Sequence, residues 1–212
     1  MEIVPGILAK NLKELKEQLE AVHWAKKVHI DIMDGRFVPE KTIQLKELKK
    51  AFPESEVQIH LMAEKPESYI KKYARLGCHE FIIHSEATTL QERTLCEIKC
   101  TGMKAGIAFN PKTAISKHSS ALKESDIALV MTVNPGAYGQ RMLKTPLKKI
   151  SQIRRISKRI KIGVDGGFNK KTCGLVSQQG ADFAIATSSV TLADNPKKEY
   201  KELKKISSLS RP

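Results

Sequence analysis

Three short stretches concentrate the side chains that can do chemistry. His29-Ile30-Asp31-Ile32-Met33-Asp34-Gly35 puts a histidine, two carboxylates and a methionine into an otherwise apolar run that ends in a glycine turn. Side chains alternate faces along a strand, so His29, Asp31 and Met33 share one face while Ile30 and Ile32 share the other. Burying several ionisable groups without compensation is costly, so the polar face is expected to look into a site. A histidine and a carboxylate at this spacing suit either a divalent cation or an acid/base pair. His60-Leu61-Met62 and Val164-Asp165-Gly166-Gly167 add a second imidazole and a further carboxylate. Together His29, Asp31, His60 and Asp165 form a candidate set for one divalent metal, with zinc, iron, manganese and cobalt all compatible.

Later stretches carry the features of an anion cradle. Asn134-Pro135-Gly136-Ala137-Tyr138-Gly139-Gln140, Gly166-Gly167 and Thr187-Ser188-Ser189 combine glycine turns with hydroxyls. Glycine lets backbone N–H groups approach an anion, and hydroxyls add donors. Met33, Met62 and Met131 fall on or beside strand ends, where polarizable sulfurs line a pocket without competing for protons; filling a core is the other use of such residues.

These stretches need a scaffold that brings them to one place. Hydrophobic periodicity and turn residues predict strands over 3–8, 28–33, 57–62, 81–84, 105–109, 127–133, 162–165 and 183–186. Helices are predicted over 12–24, 43–51, 66–76, 90–99, 115–123, 146–159, 171–179 and 197–206. Unbroken βα alternation implies a parallel sheet with right-handed crossovers. Eight units favour a single α/β domain over 1–212, a (β/α)8 TIM barrel with tight loops. An open doubly wound sheet is the competing architecture, but no G-x-G-x-x-G loop follows the first strand. In a barrel, His29 and Asp31 would end strand two, His60 strand three and Asp165 strand seven, over the C-terminal mouth.

Composition excludes several classes. Met1-Glu2-Ile3-Val4-Pro5 lacks a signal-peptide pattern, and no apolar run reaches bilayer length, so a soluble cytoplasmic chain without a membrane partner is expected. The 4 cysteines are irregularly placed, which argues against a disulfide framework; Cys96 and Cys100 read as packing residues. A net charge of +14 first points to nucleic acid, but the basic residues are spread over most helices and aromatics make up only 5%. A lysine-rich exterior is the expectation, with nucleic acid disfavoured as a partner.

The chain resembles the ribulose-phosphate 3-epimerase family. The resemblance spans most of its length and rests on His29 to Pro39, His60-Leu61-Met62, His84-Ser85-Glu86, Ala108-Phe109-Asn110-Pro111, Met131-Thr132-Val133-Asn134-Pro135-Gly136 and Val164-Asp165-Gly166-Gly167. It implies a (β/α)8 barrel that inverts carbon 3 of a phosphorylated ketose with a bound divalent metal. By that resemblance His29, Asp31, His60 and Asp165 hold the metal, and Asp31 and Asp165 also exchange the proton. Substrate and phosphate contacts are expected at His60, Gly136, Tyr138, Gly139, Gly166, Gly167, Thr187 and Ser188, with Met33, Met62 and Met131 lining the intermediate. Asp34 reads as a turn residue and Glu86 as an orienting partner.

The chain departs from the family at its substrate cradle. Gly6 stands where a serine usually follows the first-strand proline, Ala137-Tyr138 replaces Phe-Gly, and Thr187 replaces the glycine of Ala-Gly-Ser. The expected substrate pair is D-ribulose 5-phosphate and D-xylulose 5-phosphate. Another ketose phosphate such as allulose 6-phosphate, or a non-catalytic basic barrel with an anionic partner, are the alternatives. Assembly into a homo-oligomer is left open.

Overall fold

The computed structural model describes residues 1–136 and 139–210; Tyr138 lies outside them. Eight parallel strands close into a barrel in sequence order. They are β1 (Glu2–Ile7), β2 (Lys27–Met33), β3 (Glu56–Met62), β4 (Glu80–His84), β5 (Lys104–Phe109), β6 (Ile127–Met131), β7 (Lys161–Asp165) and β8 (Phe183–Ala186). The helices between and after them are α1 (Leu12–Ala21), α2 (Leu45–Leu48), α3 (Glu67–Ala74), α4 (Gln91–Cys100), α5 (Ser119–Glu124), α6 (Lys148–Ile156), α7 (Lys170–Gln178) and α8 (Pro196–Leu209). The TIM-barrel expectation is met, and the register of β1 on β8 (Glu2 beside Phe183 through Pro5 beside Ala186) closes the ring.

Strand alternation divides the apolar residues between two cores. Outward-facing Ile30, Ile32, Ile59, Leu61, Phe81 and Ile83 pack with helix residues Leu15, Leu48, Ile70 and Leu95. Inside, one wall is apolar, built from Val4, Ile82, Ala108, Ile127, Leu129, Phe183 and Ile185. Gly163 makes room for the Phe183 ring: a Cβ there would sit 2.2 Å from Phe183 Cζ. The other wall, from β2 to β4, is polar, with His29, Asp31, Gln58, His60, Glu80 and His84 all buried.

Several predicted elements differ from those observed, each for a tertiary reason. The helix expected over 43–51 is reduced to α2, because Thr42 N donates to Met33 O and Ile43 N to Ala9 O, holding this approach extended. Strand six stops at Met131; Thr132 turns to donate from N and Oγ1 to Asp165 O, tying the ends of β6 and β7 together. The helix expected over 115–123 divides into a 3-10 turn, Ile115–His118, and α5. That expected over 146–159 opens with a 3-10 turn, Thr145–Leu147, and ends where Ser157 is extended. Thr187–Thr191, read as loop, is a wide π-helical turn. Cys96 and Cys100 are exposed, so they do not pack as expected. Among the described residues no helix is long and apolar enough to cross a membrane.

Candidate active site

The polar wall ends in a compact four-residue centre. One donor atom from each of His29, Asp31, His60 and Asp165 lies within 4.8 Å of the others, and all four residues are buried. His60 Nδ1 is 2.8 Å from Asp31 Oδ1 and 3.6 Å from Asp165 Oδ2, while His29 Nε2 is 3.3 Å from Asp31 Oδ1. A tetrahedral shell of 2.0–2.2 Å bonds places its donors about 3.3–3.6 Å apart, close to these separations. Buried His29 Nε2 makes no hydrogen bond among the described residues. A cation of borderline hardness fits this set, giving that lone pair a partner and offsetting two adjacent carboxylates.

The sequence placed His29 and His60 at strand ends, and the structure corrects this. β2 runs on to Met33 and β3 to Met62, so His29 lies mid-strand beside Gln58, and Asp31 pairs in register with His60. His29 supports the centre from below, and both imidazoles are fully buried.

Each imidazole is held on its far side. His29 Nδ1 is 2.5 Å from Gln58 Oε1, and Gln58 Nε2 donates to Glu80 Oε2 at 2.6 Å. His60 Nε2 is 2.9 Å from His84 Nε2, whose Nδ1 lies 3.2 Å from Glu86 Oε2. Glu86 also accepts from Asn110 N at 3.0 Å and from the Thr113 hydroxyl. Glu86 thus has the orienting position expected of it, while Gln58, Glu80 and His84 were not singled out as site residues. The period-two rule carried back from His60 puts Gln58 on the site face, a signal that was available in the sequence.

The two carboxylates have opposite electrostatic surroundings. Burial pushes the Asp31 pKa up, but the adjoining His29 and His60 imidazoles, the latter in hydrogen-bond contact with it, outweigh burial and hold the carboxyl well below its usual range. Burial, reinforced by the Asp31 charge, raises the Asp165 pKa. Burial also disfavours charge on His29, yet Asp31 and then Asp165 raise its pKa; burial prevails at His60, whose pKa is lowered. For Glu86, burial is overcome by the His84 hydrogen bond and charge, and the pKa falls to about 2.

Above the centre lies a pocket, open to solvent, that gathers most of the predicted site residues. Asp31 and Asp165 form part of its lining with Met33, Met62 and Met131, and Gly136, Gly139, Gly166, Gly167, Thr187 and Ser188 belong to it. Pro135 and Gln140 of the predicted anion-cradle stretch also line it, as do Leu8, Val133, Phe168 and Ile185, which the sequence reading did not single out as site residues. The Gly166-Gly167 turn has positive φ at both residues (107° and 67°), and a Cβ on Gly167 would lie 2.5 Å from Met142 N. Thr172 Oγ1 donates to Gly167 O at 3.1 Å, fixing this turn to the start of α7. Asp34 is a turn residue, its Oδ1 accepting from Arg36 N and Phe37 N. At the departure on β1, a Cβ built on Gly6 would lie 2.1 Å from Thr187 Oγ1.

Comparison with known proteins gives a consistent family. The Ribulose-phosphate 3 epimerase family matches residues 2–191. A ribulose-phosphate 3-epimerase of Bacillus subtilis (strain 168) is 35% identical over 213 residues, covering 96% of this chain and 98% of the relative. The chloroplastic ribulose-5-phosphate-3-epimerase of Arabidopsis thaliana is 35% identical over 221 residues, covering 99% of this chain and 77% of the relative. Among solved structures, 3-hexulose-6-phosphate synthase from Salmonella typhimurium superposes with a TM-score of 0.73 at 16% identity, covering 100% of both chains. KGPDC from Streptococcus mutans in complex with D-R5P gives a TM-score of 0.71 at 14% identity, covering 98% of this chain and 97% of that one. At such identities the structural likeness speaks for the barrel alone.

Proposed function

Because this chain belongs to the ribulose-phosphate 3-epimerase family and is a carbohydrate epimerase, we propose that it interconverts D-ribulose 5-phosphate and D-xylulose 5-phosphate at carbon 3. The observation that carries this reading is the pairing of Asp31 and Asp165 in one pocket with their pKa values pushed apart. Inversion beside a carbonyl needs a base on one face of carbon 3 and an acid on the other. Asp31, held ionised by the imidazoles, takes the carbon 3 proton. Asp165, whose protonated form burial and the Asp31 charge favour, delivers one to the opposite face. The reverse reaction exchanges the roles, and no redox cofactor is required. Opposed pKa shifts in a pair of carboxylates are a mark of such a division of labour.

His29, Asp31, His60 and Asp165 would hold a divalent cation, whose identity among zinc, iron, manganese and cobalt stays open. When bound, the cation supplies Lewis-acid stabilisation to oxygens that gain negative charge as the proton leaves. Met33, Met62 and Met131 exclude water from the planar intermediate without offering it a proton. Gly136, Gly139, Gly166, Gly167, Thr187 and Ser188 form the cradle for the phosphate; barrels often hold phosphate near strands seven and eight.

A panel of D-ribulose 5-phosphate, allulose 6-phosphate and their 3-epimers, assayed with metal analysis of the same sample, tests the substrate. The pentose phosphate should turn over with the highest kcat/KM. Preference for the hexose phosphate would move the assignment within the family chemistry, and no turnover of either by metal-loaded protein would contradict it.

A further inference from the structure

The hydrogen bonds beneath His29 run in one direction only. At the N-terminal end of the barrel Lys27 Nζ donates to Glu80 Oε1 at 2.8 Å, and Lys104 Nζ stands 3.6 Å from the same oxygen. Burial would raise the Glu80 pKa, but the Lys27 hydrogen bond and charge lower it, so Glu80 is a carboxylate and only accepts. Gln58 Nε2 must therefore be the donor in its 2.6 Å contact with Glu80. That leaves Gln58 Oε1 facing His29 Nδ1 at 2.5 Å. An amide oxygen carries no proton, so Nδ1 carries it, and in the neutral ring that binds a cation Nε2 keeps its lone pair.

We propose that Gln58, oriented by Glu80 and Lys27, is a positioning residue that locks His29 in its Nδ1–H tautomer and presents Nε2 to a cation. This rests on the metal-site reading above. The orphaned state of Nε2 is its second support: that atom is buried, unbonded and 3.3 Å from an Asp31 oxygen, an arrangement of two electron-rich atoms that a cation relieves. With the amide reversed, Gln58 would press its oxygen against Glu80, and Nε2–H would project into the centre. A carboxylate in direct contact with a ligating imidazole is a common alternative. Here a neutral amide fixes the ring instead, and the nearest supporting negative charge is one residue further and paired with lysine. His29 is oriented without a third anion beside Asp31 and Asp165.

The test is zinc affinity, by competition with a chromophoric chelator, for the full chain and two variants checked for folding by circular dichroism. Gln58→Leu should weaken zinc binding about 10–100-fold, the usual effect of losing an outer partner of a metal ligand. The exchange Gln58→Glu with Glu80→Gln rebuilds the chain with an acceptor facing Nδ1–H and should bind within about threefold of the parent. In zinc-loaded parent, ring-nitrogen NMR should place the His29 proton on Nδ1, slow to exchange with solvent. Zinc affinity unchanged in folded Gln58→Leu, or a proton found on Nε2, overturns the proposal. If Gln58→Leu does not fold, the exchange variant and the ring-nitrogen spectrum decide. A parent chain that takes up no zinc, manganese, iron or cobalt overturns the metal-site reading itself, whereas a metal-binding parent matched by Gln58→Leu overturns only the role of Gln58.

Discussion

Thr187 on the turn after β8 fills the space beside Gly6 on β1: a Cβ at residue 6 would come within 2.1 Å of Thr187 Oγ1 and 2.8 Å of Ile185 Cγ2. The two positions at which the chain departs from its resemblance to the family thus meet in the structure, Thr187 placing its hydroxyl beside Gly6. Thr187 also lines the pocket, so a hydroxyl stands at the wall where the resemblance expects the serine.

The coupling gives a double-mutant prediction. Gly6→Ser alone should destabilise by about 1–3 kcal/mol through overpacking against Thr187. Thr187→Gly alone should raise KM by removing a hydroxyl from the pocket. Gly6→Ser with Thr187→Gly should recover KM and part of the stability, Ile185 still crowding residue 6, with an interaction energy of about 0.5–3 kcal/mol in urea unfolding. Additive effects of the two substitutions would separate the residues.

Metal binding should be visible as stability. At about 100 times its Kd, zinc or manganese should stabilise the chain by about 2.7 kcal/mol, raising Tm by about 5–10 °C. Elemental analysis should find about one divalent cation per chain. His29→Ala and His60→Ala should each lose most of it, and the Tm shift with it. Persistence of the shift in both variants would place the cation elsewhere.

Glu86 predicts an acid-sensitive contribution. Its pKa falls from 4.5 to about 2 on folding, so its stabilisation is complete above 4.5 and lost as pH drops towards 2. At about pH 3.5, one unit below the unfolded value, a measurable part of it should be gone, reduced by solvent screening at this accessible carboxylate. Urea unfolding of the parent and Glu86→Gln should therefore show a gap in stability that is larger at neutral pH and narrows on acidification. A gap independent of pH would mean that Glu86 is not held as a carboxylate by His84 and Thr113.

Much of the site is legible in the sequence because strand alternation is a short-range rule. It groups His29, Asp31 and Met33 on one face, and the βα rhythm carries Asp165 to the same mouth. What alternation does not supply is depth. His29 sits mid-strand beside Gln58, and only the paired register of β2, β3 and β4 turns it into a support from below. The same register is needed to see Glu80 orient Gln58. The pairing of Gly6 with Thr187 depends on closure of β1 against β8, the strand pairing most distant in sequence. The helix expected over 43–51 fails for the same reason, since Ile43 has helical spacing to its neighbours but gives its N–H to Ala9.

The central claim is proton exchange at carbon 3 by Asp31 and Asp165, and its most direct test is NMR of the metal-loaded protein with D-ribulose 5-phosphate in D2O. The account predicts D-xylulose 5-phosphate carrying deuterium at carbon 3, with net inversion abolished in both Asp31→Asn and Asp165→Asn variants that retain metal. Inversion without deuterium at carbon 3, or near-normal inversion by either metal-loaded variant, would contradict it.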